Sequence, residues 1–302
     1  MLYKERHQEL EAERVIYRLL AINIDGTLLQ PKGKLHRATK EAIEYVKEKG
    51  IYVTLVTSRN FLSAKKVAKA LKLDELLITH GGAFIAKNID EPVLEKRIPA
   101  DITLDIVKLL EGVKCQVKVC HERFCLVNKP KFLDNLLAKV VFNPSDPLFY
   151  PHQYVDTISE ALAGEPVEPL LIEAVFNEKG DLYDVTRAIE KMYPEVNAVP
   201  LPPNKLHIVL KGVSKATGLI KTGRLLGISR KEMVAIGDSY DDIEMIEMAG
   251  LGVAMGNSPP EVKKRADWIT RSNVQQGVAF LIKEHFRKQQ PLDFLKRMNI
   301  IK

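Results

Sequence analysis

The sequence lacks an apolar run long enough to cross a membrane. Of its 302 residues, 46% are hydrophobic and 28% are charged, which is ordinary composition for a globular domain. Residues 1–18 are rich in Glu, Lys and Arg and have no continuous apolar core of the kind found in signal peptides. We therefore expect a cytoplasmic protein that has no membrane partner.

Cysteine is scarce, with three residues spaced five apart at Cys115, Cys120 and Cys125. On a pair of strands this spacing alternates faces, so we expect that the three thiols do not converge on a metal ion. An odd count also argues against a disulfide framework. Reduced, partly buried thiols are the expected state.

The sequence also lacks a basic stripe with interleaved aromatic residues. Its 45 basic and 39 acidic residues give a net charge of +6 and a pI near 9.0, but the two signs are interspersed along the chain. This pattern favours a solvated surface of mixed charge over a nucleic-acid interface. No nucleic-acid partner is expected.

Strand and helix patterns alternate at both ends of the chain. The apolar runs Leu19–Ile24 and Ile51–Val56 predict buried strands, and Ala38–Lys49 and Leu62–Leu71 predict helices between and after them. The same alternation resumes after Lys215. Such alternation predicts an α/β fold whose core is a doubly wound, Rossmann-like parallel sheet.

The middle of the chain follows another pattern, with strands too close together for parallel crossovers. Gln116–Val119 and Phe124–Val127 predict a hairpin, and Leu133–Val140 and Leu182–Met192 predict helices. We interpret this region as an α+β cap inserted into the core. The predicted organisation is an N-terminal extension (1–17), a core (18–84 and 207–287), a cap (85–206) and a C-terminal tail (288–302). The tail could dock on the core or on a neighbouring molecule, and the oligomeric state stays open.

Four polar segments follow predicted strands or open a predicted helix. In a parallel sheet such segments gather where ligands bind. Each alone has an ordinary explanation as a turn, a helix cap or a solvated residue, but together they predict one phosphate site. They are Asn23–Thr27, Thr57-Ser58-Arg59, Gly212-Val213-Ser214-Lys215 and Gly237–Asp242.

Phosphoryl transfer to a nucleophile requires cations that neutralise the developing charge. Lys215 can supply one positive charge. The carboxylates of Asp25 and Asp238 suit Mg²⁺, a hard ion that prefers oxygen ligands. We therefore expect Mg²⁺ as the cofactor.

The segments together resemble the haloacid dehalogenase (HAD) superfamily, and the large insert resembles its Cof-type subfamily. Ser272-Asn273 and Gly277-Val278-Ala279 are also similar to signatures of that subfamily. The resemblance spans roughly Arg18 to Glu284. It implies a Mg²⁺-dependent phosphatase that acts on a small phosphorylated metabolite such as a sugar phosphate.

The resemblance also implies a role for each matching residue. The nucleophile falls on Asn23, the general acid/base on Asp25, and a further catalytic role on Lys215. The other implied roles are phosphate binding and metal binding. Phosphate binding falls on Gly26, Thr57, Ser58, Lys215 and Asp241, and metal binding on Asn23, the backbone carbonyl of Asp25, Asp238 and Asp242.

Three positions depart from the family pattern. Asn23 replaces the nucleophilic Asp, Asp241 stands where an Asn is usual, and Gly81 stands where an Asn-Gly-Ala turn is usual. An engineered Asp→Asn change would explain only the first, so we favour natural divergence. An amide cannot attack phosphorus as a carboxylate does, and losing a nucleophile can lower turnover by on the order of 10⁶.

Two functions remain open at this point. One is a phosphatase impaired by Asn23, in which metal binding survives. The other is a catalytically inactive binding or regulatory protein that keeps the fold. Among weaker candidates, His80 and His121 are interpreted as turn and hairpin residues, and nothing singles out His152 or Tyr154 in the cap.

Overall fold

Fourteen strands and ten helices make up the part of the chain that the computed structural model describes, residues 15–128 and 150–300. The strands are β1 (Leu19–Asn23), β2 (Tyr52–Val56), β3 (Leu77–Thr79), β4 (Phe84–Ala86), β5 (Pro92–Glu95), β6 (Cys115–Cys120), β7 (Cys125–Asn128), β8 (His152–Val155), β9 (Leu171–Phe176), β10 (Val196–Leu201), β11 (Lys205–Leu210), β12 (Met233–Gly237), β13 (Leu251–Ala254) and β14 (Trp268–Ile269). The helices are α1 (Arg37–Glu48), α2 (Phe61–Ala70), α3 (Ala100–Glu111), α4 (Ile158–Gly164), α5 (Lys179–Met192), α6 (Lys215–Leu226), α7 (Ile243–Met248), α8 (Pro260–Lys263), α9 (Gly277–Phe286) and α10 (Leu292–Arg297). The predicted helix at 133–140 and most of the N-terminal extension lie outside the described residues.

The first sheet has the order β14-β13-β12-β1-β2-β3-β4-β5. Its strands are parallel from β14 to β3, and β4 and β5 then add an antiparallel edge. All five residues of the central β1 are buried, as is typical of a parallel strand that is covered on both faces. The predicted doubly wound parallel sheet is confirmed, whereas the short antiparallel edge was not foreseen.

Helices cover the first sheet because their sequences carry an apolar face and a capping residue. Helix α1 buries Thr39, Ile43 and Val46 on one side. At the start of α2, the Asn60 side chain accepts a hydrogen bond from the amide of Ser63 at 2.8 Å, which satisfies one of the free N–H groups of the first turn.

The second sheet has the order β10-β11-β9-β6-β7-β8 and is antiparallel except for the β7–β8 pair. Its hairpin β6–β7 was predicted. Helices α3, α4 and α5 bury their apolar sides with this sheet in a separate core that includes Ile106, Leu162 and Leu182. The predicted α+β cap is therefore confirmed as an additional layer.

Both predicted boundaries between core and cap fall inside or beside a strand. Sheet membership assigns β4 and β5 to the first sheet and the whole of β11 to the second. The β10–β11 hairpin was missed because its turn contains Pro202 and Pro203, joined by a cis peptide bond, and prolines are usually a loop signal. By sheet membership, the chain leaves the first sheet after Glu95 and leaves the second after Leu210.

The premise that the cysteine spacing alternates faces is wrong for one pair. Cys120 and Cys125 lie directly opposite each other on β6 and β7, and their sulfur atoms are 3.1 Å apart. The reason is that residues paired across a hairpin share a face whatever their separation in sequence. All three cysteines are free and at least partly buried, as expected.

The C-terminal tail docks on the core. The amide of Leu292 donates a hydrogen bond to the carbonyl of Lys49 at 2.9 Å. Leu292 and Leu295 are buried in the main hydrophobic cluster, while Phe294 stays exposed. Of the two alternatives for the tail, the core is the observed one. Within residues 15–128 and 150–300, no helix is long and apolar enough to cross a membrane.

Candidate active site

Three strands of the first sheet end at the same place and bring the predicted site residues together. Asn23 is the last residue of β1, Thr57 follows β2, and Asp238 follows β12. Because β1 pairs in parallel with both β2 and β12, the carboxyl ends of the three strands meet at one edge of the sheet. This edge is where open α/β sheets bind ligands.

Two glycines allow the loops of this edge to approach closely. At Gly26 (φ +73°), an added Cβ would lie 2.0 Å from Oδ2 of Asp238. At Gly82 (φ +103°), it would lie 2.1 Å from the carbonyl oxygen of Ser214. Larger residues would push the Asp238 loop and the start of α6 away from β1 and β3, so glycine is required at both positions.

The Asn23 side chain is held from both ends. Its Nδ2 donates hydrogen bonds to the backbone carbonyl of Asp25 at 2.8 Å and to Oδ1 of Asp238 at 3.0 Å. Its Oδ1 accepts from Nζ of Lys215 at 3.4 Å. The amide therefore connects β1, its own loop, the β12 loop and α6.

Asp25 is bound to Arg59 through both carboxylate oxygens. The Nε and Nη2 atoms of Arg59 each lie 2.6 Å from one oxygen of Asp25, in the bidentate geometry that a guanidinium forms with a carboxylate. Each oxygen of Asp25 therefore accepts one hydrogen bond from Arg59. Arg59 was part of a predicted segment, but its partner could not be read from the sequence.

Lys215 is buried at the start of α6 and is paired with two carboxylates. The start of α6 is fixed by a capping box between Ser214 and Thr217. Nζ of Lys215 lies 3.0 Å from Asp241 and 2.7 Å from Asp242. Burial lowers the pKa of Lys215, but Asp241 and Asp242 outweigh it, so the pKa is raised and the ammonium stays charged.

Asp242 holds the β12 loop in place. Its Oδ2 accepts hydrogen bonds from the amides of Asp238 and Ser239, both at 2.9 Å, while its Oδ1 accepts from Lys215. Both oxygens of Asp242 are used by these donors, so it has none turned toward a metal ion.

Asp241 lies between two groups that were predicted to bind phosphate. Its Oδ2 accepts a hydrogen bond from the Ser58 hydroxyl at 2.7 Å and forms the ion pair with Lys215. Burial raises the pKa of Asp241, but Lys215, His207 and Ser58 outweigh it and hold the pKa at about 2. The Thr57 hydroxyl instead accepts from the amide of Arg59 at 3.1 Å.

Asp238 is a partly buried carboxylate with two side-chain donors. Its Oδ1 accepts from the Thr27 hydroxyl at 2.7 Å and from Asn23. Burial and the nearby Asp242 raise the pKa of Asp238 to about 6, because the donors from Thr27 and Asn23 and the charge of Lys215 offset them only in part. Thr27 was within the predicted loop, but its contact with Asp238 was not foreseen.

A cavity that is partly open to solvent lies between this site and the cap. On the cap side, His207 of β11 is bonded to Glu173 of β9 at 3.1 Å, and Glu173 also pairs with Lys118 and Lys205. No sequence motif identified His207. The cavity is lined by Ser58, Gly81, Leu171, Val199, His207, Val209, Val213, Ser214, Lys215, Tyr240, Asp241 and Glu244.

The weaker histidine candidates lie elsewhere. His80 is fully buried in the turn after β3, as its interpretation as a turn residue required. His121 sits in the cap hairpin, stacked on Phe124 with ring centroids 4.7 Å apart. His152 and Tyr154 are exposed on β8.

A known family matches most of this chain. The family of haloacid dehalogenase-like hydrolases matches residues 20–282. The chain belongs to this family. The second sheet corresponds to the large insert that the sequence predicted as a cap.

Several relatives match over nearly their whole length. The stress response protein YhaX of Bacillus subtilis is 53% identical over 282 residues, which cover 93% of this chain and 98% of YhaX. The 5-amino-6-(5-phospho-D-ribitylamino)uracil phosphatase YitU of the same organism is 29% identical, with 89% of this chain and 97% of YitU covered. The HAD subclass IIB sugar phosphatase BT4131 has a similar fold, with a TM-score of 0.71 at 21% identity, over 94% of this chain and 100% of BT4131.

Proposed function

We propose that this chain binds a small phosphorylated metabolite, such as a sugar phosphate, between its core and cap, and hydrolyses it slowly at most. One observation carries the proposal. The phosphate-site residues Ser58, Lys215 and Asp241 form one side of the cavity beneath the cap, while Asn23, at the position of the family nucleophile, contacts the same lysine.

The charge of Lys215 supports a phosphate at this place. Lys215 is buried and cationic, and it opens into the cavity beside the Ser58 hydroxyl. A buried ammonium next to hydroxyl donors is a suitable partner for a phosphate group. The apolar lining from Leu171, Val199 and Val209 leaves room for the remainder of a small metabolite.

Two features of the site support slow chemistry. The amide of Asn23 cannot form the acyl-phosphate that a carboxylate nucleophile forms. Attack by water with Asp25 as base is the remaining route, and Arg59 occupies both oxygens of that base. The Asn23 amide and the Asp25–Arg59 ion pair are also the observations in favour of the second candidate function, a binding or regulatory protein without turnover.

A paired screen tests the proposal. The full-length chain is incubated with a panel of sugar phosphates and other small phosphomonoesters, and phosphate release and thermal stability are measured for each ligand. Stabilisation with slow release or with none supports the proposal, because a ligand that binds only the native state raises its stability. Rapid turnover would establish an ordinary phosphatase, and a panel that gives neither stabilisation nor release would refute the proposal.

A matched pair of lysine variants shows whether a stabilising ligand uses this cavity. Lys215→Met should abolish the ligand-induced shift, since it removes the buried cation. Lys221→Met, at an exposed position of the same helix α6, should retain it. Comparing each variant with and without ligand cancels any change in its own stability.

A further inference from the structure

Two of the oxygen atoms implied as metal ligands in this family, the Asp25 carbonyl and Oδ1 of Asp238, face hydrogen-bond donors in this chain. By the resemblance, those ligands are the side chain at position 23, the Asp25 carbonyl and Asp238. Here the two hydrogens of Asn23 Nδ2 point at the Asp25 carbonyl, 2.8 Å away, and at Asp238 Oδ1, 3.0 Å away. The Thr27 hydroxyl donates to the same Asp238 oxygen at 2.7 Å.

The direction of the Asn23 amide follows from its neighbours. On one side are two acceptors, a carbonyl and a carboxylate, which require N–H donors. On the other side is the ammonium of Lys215, which requires an acceptor and finds Asn23 Oδ1. This arrangement of donors and acceptors settles which end of the amide is nitrogen.

A metal ion would require the opposite orientation. To offer an oxygen beside Asp238, the amide must rotate by about 180°, and its NH₂ group would then face the ammonium of Lys215. An aspartate avoids this conflict because it has an oxygen for each side. Position 23 therefore cannot serve the metal and Lys215 at once.

Asp241 and Asp242 do not replace the metal ligand that is lost at position 23. Asp242 uses both oxygens for Lys215 and for the amides of Asp238 and Ser239, and Asp241 is turned to Ser58 and Lys215. In the described portion of the chain, no three His, Cys, Asp or Glu side chains are grouped so as to hold a metal ion. The site fits Mg²⁺ poorly.

We propose that Asn23 makes this site independent of a divalent metal, because its amide nitrogen holds the Asp25 carbonyl and Asp238 together in the place where a metal would do so. The two N–H groups of Asn23 donate hydrogen bonds to the Asp25 carbonyl and to Asp238 Oδ1, so neither oxygen needs a metal ion as a partner. The inference rests on the proposed function, since it takes the same strand ends to be a HAD phosphate site. It departs from the expectation that metal binding survives.

Metal titration of the full-length chain tests the inference. Protein stripped with EDTA is titrated with MgCl₂ by calorimetry and by thermal unfolding. We expect neither binding heat nor a change in Tm for the wild type. Mg²⁺ binding by the wild type, lost in Asp238→Asn, would overturn the inference without the need for any variant at position 23.

The variant Asn23→Asp tests whether an aspartate at this position creates a response to Mg²⁺. It places two carboxylates beside each other, so we expect a lower Tm than the wild type in EDTA and a rise on the order of 5 °C with saturating Mg²⁺. The double variant Asn23→Asp with Asp238→Asn should lose that rise. A soluble Asn23→Asp variant that gains no response to Mg²⁺ would show that the amide does not stand in for a metal.

The result of the metal titration can be distinguished from the result of the test of the proposed function. The phosphomonoester screen is repeated in EDTA on the wild type. A stabilising ligand supports the proposed function whichever way the metal titration falls. Absence of any such ligand counts against the proposed function and leaves the metal result intact.

Discussion

The hydroxyl of Ser58 donates a hydrogen bond to the carboxylate of Asp241 at 2.7 Å, and the same carboxylate oxygen lies 3.0 Å from Nζ of Lys215. A negatively charged side chain thus bridges a hydroxyl and a cation that the resemblance assigns to phosphate. The carboxylate of Asp241 therefore occupies the position between Ser58 and Lys215 where a phosphate would bind. An incoming phosphate has to displace that carboxylate or share the lysine with it.

Replacing Asp241 by Asn should strengthen phosphate binding. The change removes one negative charge, leaves Asp242 to pair with Lys215, and keeps an oxygen for Ser58. Two like charges near 4 Å repel by up to about 4 kcal/mol at an effective dielectric constant of 20, so even partial relief should raise the affinity about tenfold. Calorimetry with inorganic phosphate measures the effect.

The control for this change is Asp101→Asn, at an exposed position of α3 in the cap. It alters the net charge of the protein by the same amount but lies outside the cavity lining. Phosphate affinity should be unchanged. If both variants gain affinity equally, the gain reflects overall charge, and the bridging role of Asp241 is refuted.

Restoring both family residues should restore turnover. The double variant Asn23→Asp with Asp241→Asn supplies a carboxylate nucleophile and removes the competing anion. Hydrolysis of p-nitrophenyl phosphate in MgCl₂ should then rise by about 10³-fold or more, since loss of a nucleophile lowers turnover by on the order of 10⁶. Adding Asp25→Asn should remove most of the gain, by about 10²–10⁴. An unchanged rate would place the loss of activity elsewhere, for example at Gly81.

The strands and loops of the site could be predicted from the sequence, but the contacts within it could not. Leu19–Asn23 is an apolar run that ends in polar residues, and local pattern alone assigns it to a buried strand with a ligand loop. The direction of the Asn23 amide depends on Lys215, which lies 192 positions away in the chain. No local pattern encodes such a pairing.

The difference between local pattern and contacts made in the fold also explains the wrong and incomplete predictions. The Cys120–Cys125 contact depends on the register of a hairpin, which spacing alone does not give. The β10–β11 hairpin has prolines at its turn and within β10, which masked its strand pattern. Ser58 and Thr57 are adjacent hydroxyl residues, and only the fold shows that Ser58 faces Asp241 while Thr57 faces the backbone.

The stability of the protein should fall in acid because of His80. Burial lowers the pKa of His80 from 6.5 to about 3. Above pH 6.5, His80 is neutral in both the folded and unfolded states, and its contribution is fully present. As the pH falls from 6.5 towards 3, only the unfolded state gains the proton, so stability declines by up to about 1.4 kcal/mol per pH unit.

Urea unfolding between pH 4.5 and 7.5 measures this dependence. His80→Asn tolerates the left-handed backbone at this position (φ +50°) and should flatten the pH dependence. His152→Asn, at an exposed position of β8, should largely retain the wild-type slope. A wild-type slope that persists in His80→Asn would assign the acid sensitivity to other groups.

Adjacent residues of the C-terminal helix α10 should differ strongly in their effect on stability. Leu295 is 6% exposed within the main core cluster, whereas its neighbour Phe294 is 41% exposed. Leu295→Ala should lower the free energy of unfolding by about 2–4 kcal/mol, because it leaves a cavity between the tail and the core. Phe294→Ala removes a larger side chain but should cost less than about 1 kcal/mol. Chemical denaturation of the two variants measures the difference, and the reverse order would contradict docking of the tail on the core.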